Sequence, residues 1–268
     1  MCVPGCRAAV KHAMSRRGFL TGTAIAGFTA TSVTPADAQR RFTSVIDLTH
    51  TLSPGFPTFF GTPGISIEKR HSLKKDGANV YWWHLLEHAG THLDAPLHYS
   101  DAGASVEMIP AEQLVVPLAV VDVSAKAARN ADYAMSRQDL ADWELRHGHL
   151  PEGCCVAMHS GWAQHVATPA FAGKDAAGVM HFPGTHPEAA AWLLKERNVA
   201  GLAVDTLSLD HGASKSFKTH ALWLPSGRWG LENVANLEKV PPSGATLVVG
   251  VPKVKGATGA PARIFALV

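Results

Sequence analysis

Between residues 88 and 98 the chain reads His-Ala-Gly-Thr-His-Leu-Asp-Ala-Pro-Leu-His. His88, Gly90, His92, Asp94, Pro96 and His98 each stand two residues apart. On an extended chain the side chains at i, i+2 and i+4 leave from one face, so this spacing predicts imidazoles and a carboxylate aimed at one place. A helix would also align His88 with His92, but Gly90, Thr91 and Pro96 argue against one. Gly90 reads as room between two histidines, where a Cβ would crowd an ion. His88, His92 and Asp94 form a ligand set suited to Zn²⁺, Mn²⁺ or Fe²⁺. Three protein ligands leave positions for water, which such an ion acidifies toward neutrality while it polarises a carbonyl. His98, just beyond the ligands, is placed to pass a proton to a leaving group. Any one of the 15 histidines is by default a surface or core residue, and it is the even spacing beside Asp94 that sets these apart.

A second constellation follows downstream. Asp205-Thr-Leu-Ser-Leu-Asp-His211 precedes His220, and Glu232 stands in a Gly-Leu-Glu-Asn-Val-Ala-Asn-Leu run. Taken alone, His220 and Glu232 are candidate ligands, and Glu232 equally suits the first turn of a helix. Seven aromatic residues (Phe56, Phe59, Phe60, Trp82, Trp83, Trp223, Trp229) lie near these segments or in the early loop. They can sandwich a flat substrate, with Trp82 and Phe59 the chosen candidates, or serve as core and interface. Ser208, His211 and Ser160 are candidates for orienting a carbonyl or carboxylate.

The elements that position these residues are short and alternate in type. Strands are expected over 45–49, 79–88, 118–123, 154–159, 201–205, 245–251 and 263–268. Ser136 and Asp139 form a capping-box pattern ahead of a helix to His147, with Gly148 as its stop. Thr185 is expected to cap a second helix with Pro187 in its first turn. Interleaved strands and helices give an α/β fold, read as a single domain. Cys154 and Cys155 imply no disulfide, because neighbours on a strand point to opposite faces.

Residues 1–38 read as a leader that is removed, leaving a domain over 39–268. Ser-Arg-Arg-Gly-Phe-Leu at 15–20 is a twin-arginine pattern, an apolar stretch runs to about Val33, and Ala36-Asp-Ala38 offers a cleavage site. Met14 is an alternative start. Periplasmic delivery is the expectation, with no membrane anchor in the mature form, since the apolar part is too short to span a bilayer well. Four of the 24 basic residues and one of the 22 acidic ones fall in this segment, so the remainder carries 20 against 21. Nothing in that balance recommends nucleic acid or an anionic membrane as partner.

The pattern His-x-Gly-Thr-His-x-Asp-x-Pro-x-His is complete at His88, Gly90, Thr91, His92, Asp94, Pro96 and His98. It resembles the signature of the cyclase family of metal-dependent hydrolases, which includes bacterial kynurenine formamidase and isatin hydrolase. Asp47-Leu-Thr-His50, His159-Ser-Gly-Trp162 and the run at 230–237 also look familial, and the resemblance covers residues 44–268. It implies a swivelling β/β/α-type mixed sheet, usually in a homodimer or larger assembly. It implies metal binding by His88, His92 and Asp94, with His98 as general acid/base. In formamidase-like members a bridging aspartate joins a second metal, and His220 and Glu232 match its other ligands; isatin-hydrolase-like members use one ion, commonly Mn²⁺. The cofactor implied is Mn or Zn, one or two ions per subunit, and the reaction is hydrolysis of a small cyclic or aryl amide. Three alternatives stand beside this: a lactone or ester hydrolase, a serine hydrolase using Ser160 without the usual elbow, and a non-catalytic periplasmic protein binding metal or ligand.

Overall fold

The computed structural model describes residues 42–268, which form one compact unit. The leader signals at 15–20, 21–33 and 36–38 lie outside the described residues. In chain order the strands and longer helices are β1 (Val45–Asp47), β2 (Ile65–His71), β3 (Val80–Leu85), β4 (His92–Asp94), β5 (Val115–Asp122), β6 (Ala134–Met135), α1 (Arg137–His147) and β7 (Cys154–His159). They continue with β8 (Gly184–Thr185), α2 (Pro187–Glu196), β9 (Val199–Val204), α3 (Lys218–Trp223), β10 (Trp229–Glu232), β11 (Ala245–Gly250), β12 (Gly259–Pro261) and β13 (Arg263–Leu267). Nine strands make one mixed sheet in the order β1-β13-β11-β5-β7-β9-β10-β4-β12. Its centre, from β5 through β7 and β9 to β10, is parallel, and both flanks are antiparallel.

The central strands are apolar on both faces because both faces are covered. From β5, Val116, Leu118 and Val120 enter one core while Ala119 and Val121 enter another. The second core is roofed by Leu140 and Trp143 of α1, Ala189, Ala190 and Leu193 of α2, and Trp223 of α3. The first contains Leu93, Leu231, Leu247, Val249, Ile264 and Ala266, from strands at opposite ends of the sheet order. A sheet whose distant strands share one core is curled around it. This is the expected α/β domain of the swivelling β/β/α kind.

Local signals explain most boundaries. The Ser136 hydroxyl accepts from the Asp139 N–H and the Asp139 carboxylate accepts from the Ser136 N–H, so α1 begins where its capping box directs. α2 has Pro187 at its first position, but its cap is His186, whose Nδ1 accepts from the Glu188 N–H, and not Thr185. Thr185 instead belongs to β8, where its N–H donates to Leu209 O. Cys154 and Cys155 face opposite cores and are both buried and unpaired, and burial pushes the Cys154 thiol up to about 12. The β2–β3 ribbon stands apart from the main sheet, with every residue exposed except Ile65.

Candidate metal centre

β4 is the strand that delivers the motif. Its ladder with β10 sets Glu232 opposite His92 and Gly230 opposite Asp94, while Leu93 turns into the core. Alternation therefore sends His92 and Asp94 to the same face, as the spacing predicts. The extended stretch is shorter than expected, covering 92–94 only. Gly90 lies in the left-handed region at φ 64°, and a Cβ there would meet Leu52 Cδ1 at 3.0 Å, so this glycine serves a turn rather than making room for an ion. After β4, Pro96–His98 forms a 3₁₀ turn that swings His98 back until its ring stacks on His88, with centroids 3.9 Å apart and 28° between planes. α3 supplies His220.

Five side chains converge. His88 Nδ1 is 2.6 Å and His92 Nε2 3.3 Å from Asp94 Oδ1. His220 Nε2 lies 3.6 Å from Asp94 Oδ2 and 3.0 Å from Glu232 Oε1, and His92 Nε2 is 3.4 Å from Glu232 Oε2. His88, His92 and Asp94 form one group with metal-ligand spacing, and Asp94, His98 and His220 form a second that shares the aspartate. Asp94 thus occupies the bridging position between two potential sites, and His98, read from sequence as a proton carrier, also has ligand geometry.

The ring nitrogens that face away are all engaged. Gly90 O can only accept, so His92 Nδ1 carries the proton it shares with it at 2.9 Å, leaving Nε2 as the nitrogen that faces the centre. The Asp210 carboxylate does the same for His220 Nδ1 at 2.7 Å while accepting the Thr219 and His220 N–H groups. His88 Nε2 pairs with the Thr258 hydroxyl at 3.0 Å. Thr91 Oγ1 donates to Asn233 O, and Asn233 Nδ2 donates to Gly90 O, locking the motif's turn to the end of β10. Asp210 and Asn233 were not singled out from sequence. Asp210 closes the polar run at 205–210 and Asn233 follows Glu232, but their roles come from contacts with residues ten and 143 positions away.

Electrostatics test whether a cation fits. Burial works against charge on every member, yet Asp94 and Glu232 are held below the usual carboxylate range by the histidines around them. Reciprocally, burial disfavours a charged His92, but Asp94 and Glu232 outweigh it and raise its pKa to about 10; His220 rises likewise. Two buried carboxylates in one pocket demand positive charge. His92 Nε2 and Asp94 Oδ2 are also buried without any hydrogen-bond partner among the described residues. A divalent ion would displace the extra imidazole proton and satisfy both orphaned atoms, and the donor set fits one. Burial pulls His98 down to about 4 against the pull of Asp94, so its imidazole is neutral near pH 7.

Above the centre lies a cavity of about 230 Å³. Phe59 and Ser208 line it, with Phe60, Tyr99, Leu207, Phe217 and Asn233. Trp82 and His211 do not. Trp82 sits 54% exposed on the β2–β3 ribbon with Arg70 over its ring, because the aromatic run before the motif forms that ribbon instead of the cavity wall. Trp223 and Trp229 are fully buried in the two cores, and Phe56 is also core. Ser160 does not line it either; its hydroxyl donates to the buried Asp205, which lines a different cavity. Tyr99 and Phe217 were missed by the sequence reading.

Comparison with known proteins places this arrangement. The Cyclase family model matches residues 46–211. The chain is 32% identical to isatin hydrolase of Roseibium aggregatum over 84% of its own length and 91% of that protein's. It is 26% identical to kynurenine formamidase of Salinibacter ruber, over 82% and 95% of the two chains. The solved structure of isatin hydrolase A from Ralstonia solanacearum superposes with TM-score 0.78 at 36% identity, covering 84% of this chain and 92% of that one. Paired His/Asp clusters on this fold support a metal-dependent hydrolytic enzyme acting on a small molecule. The chain belongs to the cyclase family.

Proposed function

We propose that the chain hydrolyses a C–N bond in a small cyclic or aryl amide, using a divalent ion, Mn²⁺ or Zn²⁺, held by His88, His92 and Asp94. The observation that carries this reading is the convergence of buried, unpartnered His92 Nε2 and Asp94 Oδ2, with His92 itself lining an aromatic-walled cavity. When bound, the ion supplies an acidified water and polarises the carbonyl under attack. His220 and Glu232 complete the centre and are the proposed ligands of a second ion, with Asp94 bridging. His98, neutral and stacked over His88, takes a proton at a ring nitrogen and delivers it to the departing amine. Phe59 and the cavity's other aromatic residues exclude water and hold the substrate ring, and Ser208 offers a hydroxyl to its polar edge. The similarity to isatin hydrolase favours a ring-opening amide substrate over an open-chain one.

The test is a panel of amides, lactams and lactones incubated with metal-loaded protein. Aryl amides or lactams should be opened, chelator should stop the reaction, and His98→Gln should retain metal while losing turnover by about 10²–10⁴-fold. Lactone-only turnover supports the ester-hydrolase alternative, and metal binding with no turnover supports a binding protein. Loss of metal in His98→Gln reassigns that residue to the second ion.

The proposal extends to assembly and location. No helix among the described residues is long and apolar enough to cross a membrane. A two-stranded ribbon exposed on both faces is marginal alone, and Ile67, Tyr81, Trp82, Trp83 and Leu85 leave it apolar, which supports a homo-oligomer as its cover. Residues 1–38 act as a twin-arginine leader to the periplasm, and N-terminal sequencing of exported protein should begin near residue 39. Export that is indifferent to Arg16→Lys with Arg17→Lys contradicts that route.

A further inference from the structure

Phe217 has a backbone that its side chain disfavours. Its φ of 44° and ψ of 45° place it in the left-handed region at the entry to α3, where glycine or asparagine is the comfortable residue. A bulky side chain persists there only when its surroundings over-determine it, and such outliers gather at ligand clamps. The surroundings are visible. The Phe217 N–H donates to Ser214 Oγ at 3.3 Å, and its carbonyl accepts the Ala221 N–H at 2.9 Å, opening the helix that carries His220.

The ring lines the cavity. It meets Phe59 edge-on at 5.7 Å and 66°, and His220 at 6.2 Å and 82°. Phe59 in turn meets Phe60 at 5.9 Å and 78°. Phe217 therefore joins the aromatic rim to the metal-side histidine in one continuous wall. The left-handed backbone fixes where the Cβ points, so a right-handed residue at this position would carry its ring elsewhere. A cavity of ~150 Å³ holds benzene, so about 230 Å³ admits one aromatic ring with a small polar group or a fused bicycle. No lysine or arginine is among its lining residues.

We propose that Phe217 is a specificity-determining residue, whose strained backbone holds its ring as the wall against which a flat, uncharged aromatic substrate packs. This rests on the amide-hydrolase reading for the identity of the reaction, but its recognition chemistry is tested separately. Aromatic pairs gain from edge and offset contacts that a puckered saturated ring of the same carbon count does not offer. Selection for flat rings is thus the property that Phe217 supplies.

The experiment measures Kd by NMR titration of metal-loaded protein with benzamide and with cyclohexanecarboxamide. Wild type is expected to prefer benzamide. Phe217→Asn, which suits the left-handed backbone, should keep its metal content and an equal or higher Tm. It should weaken benzamide about tenfold, the loss of one aromatic contact with its buried area, and cyclohexanecarboxamide less than about threefold. Phe217→Tyr should restore the preference. A parallel shift for both ligands, or none for either, overturns the proposal. If Phe217→Asn does not fold, Phe217→Leu against Phe217→Tyr decides: preference kept by tyrosine and lost by leucine supports it, and equal preference overturns it. Retained flat-ring preference in a protein that opens no amide contradicts the hydrolase reading alone.

Discussion

His220 turns its Nε2 to the centre because Asp210 engages the opposite ring nitrogen. Removing that acceptor frees the ring to turn and change tautomer, so Asp210→Asn is expected to weaken metal binding about 10- to 100-fold without unfolding the domain. Metal-buffered titration followed by circular dichroism checks this, and unchanged affinity removes Asp210 from its positioning role. His92→Ala should lose metal and activity together, whereas retained metal would show that its orphaned Nε2 points at no ion. At this scale the sequence was most informative where chemistry is local. His88, His92, Asp94 and His98 announce themselves within eleven residues, by a spacing that the strand and the following turn convert into convergence. Asp210, Asn233, Tyr99 and Phe217 carry no such local mark, since each gains its role from a partner brought in by the fold. Trp82 shows the converse, an aromatic near the motif in sequence that leaves on an exposed ribbon.

Elements place these residues through a few commitments of backbone. Gly90 is one, since its left-handed φ turns the chain between His88 and His92 and its Cα faces Leu52. Gly90→Ala is expected to destabilise by about 1–3 kcal/mol from backbone strain and the tight approach to Leu52, measured by urea unfolding. Wild-type stability would instead place this turn among those that accept any residue. The register of β4 against β10 is another, because a slip by one residue would send His92 and Asp94 into the core and Leu93 to the candidate site. Capping signals and apolar runs made α1, β7 and β11 legible nearly to the residue. The 88–98 stretch was misjudged as extended throughout, since Pro96 fits the first position of a 3₁₀ turn as well as a strand's end. Thr185 was misjudged as a cap because parallel pairing of β8 with β6 claims it first.

Across the whole molecule, the curled sheet is the device that brings β4, β10 and the helix after β9 to one centre. Its order, β1-β13-β11-β5-β7-β9-β10-β4-β12, was beyond the reach of local pattern, because seven of its eight pairings join strands that are not consecutive in the chain. Distant clamps steady the assembly. Arg197, just past α2, holds Glu144 of α1 through two hydrogen bonds of 2.8 and 2.7 Å, and that bond takes the Glu144 carboxyl down to about 2. A depressed carboxylate contributes stability that is full above its unfolded value near 4.5 and is lost as pH falls toward about 2. Arg197→Ala should therefore cost about 2 kcal/mol at neutral pH and move acid unfolding to higher pH. An unchanged acid midpoint would show the pair to be inert. The apolar ribbon is the corresponding feature for the proposed homo-oligomer, and Trp83→Asp is expected to shift sedimentation toward monomer; an already monomeric wild type would contradict that proposal.

If His88, His92 and Asp94 hold the catalytic ion, turnover must depend on bound metal. Protein stripped by chelator is titrated with Mn²⁺ or Zn²⁺ while aryl-amide hydrolysis and bound metal are measured on the same samples. No turnover is expected without metal, then a rise that tracks occupancy to one or two ions per chain and is abolished by His92→Ala. Full turnover in metal-free protein, or in His92→Ala, would contradict it.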